Sequence, residues 1–213
     1  MPKVIPAKSA LPVINSPPTQ KLDVYVFGEG SAGELGLGSV RHNGKKPIDV
    51  QRPRLNHNLS AADVGVVQVA VGGMHCAALT HDNKILTWGV NDQSALGRDT
   101  TWSGGLKEAN EEDDSDSDDD DNDTGMNPLE STPTAVEAKY FPEGTVFARL
   151  VVSDSATFAL TTEGLVYGWG TFRVFHLPTY LQQVTNIYRV MTASSALYMV
   201  AQKSNNIQLS FLS

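Results

Sequence analysis

From Ala70 to Gly89 the chain reads AVGGMHCAALTHDNKILTWG, and from Val151 to Gly170 it reads VVSDSATFALTTEGLVYGWG, the same pattern 81 residues further on with no gap. Ala78 falls on Ala159, Leu79 on Leu160, Thr80 on Thr161, Trp88 on Trp169 and Gly89 on Gly170. A partial third copy, VYVFGEGSAGELGLG from Val24 to Gly38, aligns with ILTWGVNDQSALGRD from Ile85 to Asp99. A repeated unit of this size cannot bury its apolar face alone and must stack on its neighbours.

The periodicity inside the repeat says what the unit is. Turn signals at His81-Asp82-Asn83 and Thr162-Glu163-Gly164 separate short apolar runs, CAALT from ILTW and TFAL from LVYGW. Such runs are strands joined by tight hairpins. No apolar stripe at helical spacing is long enough to compete. Short strands with a glycine and an aromatic residue in each unit predict an all-β propeller blade rather than a helical solenoid.

The pieces GELGLG, KKPIDVQRPRLN, VAVGGMHCAAL, ILTWGVNDQSALGRDT, ATFAL and VYGWGTFR resemble the regulator of chromosome condensation repeat proteins, and among them the fungal exchange factors for the nuclear GTPase Ran. The resemblance covers roughly residues 22–173. It implies a seven-bladed β-propeller, of which Phe27, Trp88 and Trp169 end three successive blade strands, so that about two and a half blades are present. An open piece of a propeller leaves edge strands unpaired, and marginal stability is expected of it.

The resemblance also implies a function and its residues. One face of the propeller meets the GTPase, and the matching positions are His75 in GGMH and Asp154 in SDSA, with Asp92 in VNDQ nearby. Phe172 and Arg173 match the start of a wedge that enters the GTPase near its nucleotide. Simple structural readings stand beside these: His75 hydrogen-bonding a neighbouring blade, Asp154 closing a turn. The chain departs from the family at Ser31, where many relatives place an Asp, and at Ala156, which replaces the His expected from His75. The expected function is nucleotide exchange on Ran in the nucleus, on chromatin, by binding rather than bond-making catalysis, with negligible exchange from this chain as written. A non-exchange repeat scaffold in chromatin or ubiquitin complexes is the alternative.

Residues 174–213 hold none of the 18 glycines. This divergent tail is either an altered reading frame or a degenerate fourth repeat, since VTNIYRVMTASSALYMVAQ has an alternation like that of VVQVAVGGMHCAAL. Residues 1–21, with Pro2, Pro6, Pro12, Pro17 and Pro18, read as an unstructured leader, whose lysines are too dispersed for a strong import signal.

Charge is divided unevenly. Residues 108–123, EANEEDDSDSDDDDND, carry 11 acids, so the net charge of −8 is −11 from this run and +3 from the rest. Such a run cannot pack, and a disordered loop between blades is expected over residues 107–130. Ser115 and Ser117 are candidate phosphorylation sites for acidophilic kinases within it, and basic partners such as histones are candidates for binding it. The opposite cluster is Arg41, Lys45, Lys46, Arg52 and Arg54, a loop with two readings: contact with DNA phosphates, as the resemblance to chromatin-bound members implies, and a plain solvated connection.

Side-chain catalysis finds no support. The five histidines show no metal-ligand spacing, the serines lie in no nucleophile-elbow context, and the glycines follow no phosphate-loop pattern. No cofactor, metal or small-molecule substrate is implied. Cys76 alone cannot form an intrachain disulfide and reads as a small core residue. No apolar run approaches the length of a membrane span.

Overall fold

Two adjacent alanines, Ala77 and Ala78, mark where the blades meet, because small side chains on both faces of one strand let a sheet approach on either side. The computed structural model describes residues 12–104 and 124–171, together with the backbone of a strand at 184–191. Its strands are β1 (Tyr25–Gly28), β2 (Val50–Leu55), β3 (Val66–Val71), β4 (His75–Thr80), β5 (Ile85–Gly89), β6 (Thr134–Ala135), β7 (Phe147–Val152), β8 (Ala156–Thr161), β9 (Val166–Gly170) and β10 (Val184–Met191). They form a two-stranded sheet β1-β2 and two four-stranded sheets, β3-β4-β5-β6 and β10-β9-β8-β7, all antiparallel. The fold is part of a β-propeller, as the repeat implies.

The two full blades share one register. Cys76 opposes Trp88 and Leu79 opposes Ile85; Thr157 opposes Trp169 and Leu160 opposes Val166. All six residues of β4 are buried, and so are all six of β8. Alternation explains this for β4. Cys76 and Ala78 face one way, onto Leu59, Val66, Leu86 and Trp88. Ala77 and Leu79 face the other, onto the next blade's Phe147, Leu150, Ala159, Tyr167 and Trp169. A strand covered on both sides has no polar face, which is why CAAL reads as a continuous apolar run.

The acidic run is outside the described residues, but the strands on either side of it belong to one blade, not two. Leu86 and Thr87 of β5 pair with Ala135 and Thr134 of β6, so residues 90–133 connect neighbouring strands of a single sheet. Pairing of β5 with β6 holds this blade's outer edge whatever the length of the chain between them. The expected disorder over 107–130 also fails to reach Thr124–Glu130. Thr124 donates its backbone N–H and its hydroxyl to the Ser39 carbonyl, and Asn127 caps the one-turn helix Pro128–Ser131 by accepting from the Leu129 N–H.

Val184–Met191 pairs with β9 at the edge that β6 occupies in the preceding blade. The position differs from that of VVQVAV, which is β3 and pairs with β4 at the other edge of its sheet.

Candidate functional site

The turns that open β4 and β8 pack directly on one another. A Cβ added to Gly72 would come 2.1 Å from the Ser153 carbonyl oxygen, and one on Gly73 would come 3.1 Å from an Asp154 carboxylate oxygen. Only glycine permits this approach. It sets Asp154, which is exposed, over the first residue of β4, which is His75.

His75 itself is 1% exposed. Its Nε2 lies 2.9 Å from Thr157 Oγ1, and that hydroxyl donates to the Ala95 carbonyl at 3.0 Å. With the Thr157 proton committed, His75 Nε2 must carry its own proton and donate. Burial pushes the imidazole pKa down to about 4, opposed by the Asp154 charge. His75 is therefore a neutral strut between two blades, and of the two readings open in the sequence the blade-bridging hydrogen bond is the one its geometry displays.

Asp92 is exposed on the turn that follows β5, where Gln93 and Ser94 adopt positive φ. This turn leaves the blade at the end where β4 begins, since Val90 N–H donates to the Met74 carbonyl. Asp92, Asp154 and exposed Met74 thus share one end of the blades, with His75 beneath them and Thr171 reaching the Gln93 side chain. Phe172 and Arg173 lie outside the described residues, as do Ser115 and Ser117.

Polar residues outside the candidate set join the blades further along the strands, away from this end. Gln68 donates to the Leu150 carbonyl at 2.8 Å and accepts from the Leu150 N–H at 2.9 Å. Asn83 makes the same two-way grip, to the Thr145 carbonyl and from the Phe147 N–H. Both carboxamides act as a spare strand for the next blade's β7. Arg98 donates to Thr87 and to the Leu129 carbonyl, fixing the acidic connection where it rejoins the blade; burial lowers its pKa to about 10. Asn83 stood in a recognised turn, but nothing local marks Gln68 or Arg98.

The basic cluster gathers around a cavity of about 810 Å³ lined by Lys45, Lys46, Arg52 and Arg54. Arg41 lies on the same loop and donates to the Gly44 carbonyl. Asn43-Gly44, both at positive φ, form the tip of a hairpin in which His42 and Lys45 exchange backbone hydrogen bonds. The Asn-Gly pair was the unread signal for it. Among the described residues no group of three or more His, Cys, Asp or Glu side chains could hold a metal ion, and no helix is long and apolar enough to cross a membrane.

Comparison with known proteins agrees with this architecture. The family described as the regulator of chromosome condensation (RCC1) repeat matches residues 23–79. Protein pim1 of Schizosaccharomyces pombe is 43% identical over 157 residues, covering 73% of this chain and 25% of pim1. Guanine nucleotide exchange factor SRM1 of Saccharomyces cerevisiae is 42% identical over 157 residues, covering 72% of this chain and 31% of SRM1. A crystal structure of Prp20p from Saccharomyces cerevisiae, described with its binding properties to Gsp1p and histones, has a TM-score of 0.62 at 33% identity, over 84% of this chain and 36% of that one. The chain thus spans roughly a quarter to a third of the curated relatives' length.

Proposed function

The chain belongs to the regulator of chromosome condensation repeat family, and from that premise we propose that it carries blades of a chromatin-associated guanine nucleotide exchange factor for the small nuclear GTPase Ran. The observation that carries the proposal is the likeness to SRM1, a named exchange factor, across 72% of this chain. The end of the blades bearing Asp92 and Asp154 supports it as part of the GTPase-binding face. His75 contributes by holding the two blades in register, and Phe172 and Arg173 would extend that face. Exchange of this kind needs no covalent step. A factor that favours the nucleotide-free GTPase lowers nucleotide affinity by the same coupling through which nucleotide lowers the factor's own. Arg41, Lys45, Lys46, Arg52 and Arg54 suit the phosphates of chromatin, and the nucleus is the corresponding location.

Release of a fluorescent GDP from Ran, with and without this polypeptide, is the test. Capture of nucleotide-free Ran with little acceleration of release is expected, because the described blades supply only one sector of the face. Asp154→Ala together with Asp92→Ala should weaken capture about tenfold if each loses one charge-assisted contact. Absence of any capture by the folded chain would sink the reading.

A further inference from the structure

We propose that the cavity between β2 and the hairpin at residues 42–45 is an oxyanion site that takes a phosphate group. Its volume, about 810 Å³, lies in the range of small-ligand sites. Lys45, Lys46, Arg52 and Arg54 line it, with Asp49 the one opposing carboxylate among its walls.

Many surface loops are as basic, but the walls here also hold an unpartnered donor and a pair of stacked rings. Arg54 is fixed by donating from Nη2 to the Lys46 carbonyl at 2.7 Å, yet its Nε is buried with no acceptor among the described residues. Arg54 lines the cavity, and an oxygen that reached its Nε would give that donor the partner it lacks. His42 and His57 stack face to face on the same walls, ring centroids 3.7 Å apart and planes 6° from parallel.

The stack is also held in place before any ligand arrives. His57 opens a short 3-10 turn capped by Asn56, whose side chain is fully buried and donates to the Leu35 and Gly36 carbonyls. Burial, His42 and Arg54, in that order, push the His57 pKa down. An anion in the cavity would offset the electrostatic part of that effect.

The inference deepens the chromatin half of the proposed function and uses none of the residues assigned to the GTPase face. Its test is titration of the whole chain with inorganic phosphate, read by the histidine ring resonances, with tryptophan fluorescence confirming that each variant is folded. Phosphate should shift the ring resonances of His42 and His57 together and saturably, at one fixed pH. Arg54→Gln should weaken binding by about tenfold or more, His57→Gln by a few-fold, and Lys139→Gln, on a separate segment, not at all. A duplex oligonucleotide arm separates the sources. Competition with phosphate makes a nucleic-acid backbone the source, whereas phosphate binding without duplex binding makes it a free or terminal phosphate and removes the DNA-binding reading. Duplex binding that leaves both histidines unmoved, or equal weakening by Lys139→Gln, overturns the oxyanion site while leaving DNA binding standing.

Discussion

The junction of the first blade with the second and that of the second with the third use one backbone shape with different polar chemistry. At the first, Gly36 lies against the Trp88 indole, and the Glu34 carbonyl accepts from Trp88 Nε1 at 3.0 Å with Cys76 Sγ 3.7 Å away. At the second, Gly97 lies against the Trp169 indole in the same way. The Ala95 carbonyl, the counterpart of Glu34, accepts instead from Thr157, the counterpart of Cys76. Trp169 Nε1 is left buried with no partner among the described residues. At the second junction the Thr157 hydroxyl links the Ala95 carbonyl to His75 of the blade before. The repeat keeps the backbone shape of a junction while the residue at this strand position changes the polar partners.

The largest expected effects test whether the two shapes are truly alike. Gly36→Ala and Gly97→Ala each place a Cβ under 3 Å from an indole, at φ of +65° in both cases. Each should lower stability by about 3 kcal/mol, the range of overpacking added to backbone strain. Urea unfolding should give the same loss for both; a gap above about 1 kcal/mol would break the equivalence.

The next effect belongs to the second junction alone. Folding holds His75 neutral, with its pKa near 4 rather than the usual 6.5. Between those values the unfolded chain binds more protons, so stability should be full above pH 6.5 and fall as pH drops toward 4, by up to about 3 kcal/mol. His75→Gln should flatten that slope in denaturant titrations across this window. A slope unchanged by the substitution would remove His75 as its origin.

The smallest effect compares the indoles. Trp88→Phe loses packing and a hydrogen bond to Glu34, whereas Trp169→Phe loses packing and an unpartnered N–H. Trp88→Phe should therefore cost about 1 kcal/mol more, and equal losses would mean that the Trp88 bond contributes nothing net.

Much of this was legible in the chain. The turn signals around Asn83 and Gly164 and the paired tryptophans placed the strands, because hairpin register depends on residues close in sequence. His75 and Asp154 were found by likeness to a family, and they do lie together at one end of the blades. Legibility ended where a partner is distant. Nothing near Gln68 says that its amide will grip Leu150, and nothing near Thr134 says that it completes a sheet begun before the acidic run.

By itself, then, the sequence determined the blade: alternation, turn residues and small residues on a doubly buried strand are local properties that survive in any context. Tertiary structure decided the polar partners. His75 meets Thr157 across 82 residues, Trp88 meets Glu34 across 54 and Thr157 meets Ala95 across 62. Each of those bonds relieves the cost of burying a donor where neighbouring blades exclude water, and which acceptor it finds is fixed only when the blades stack.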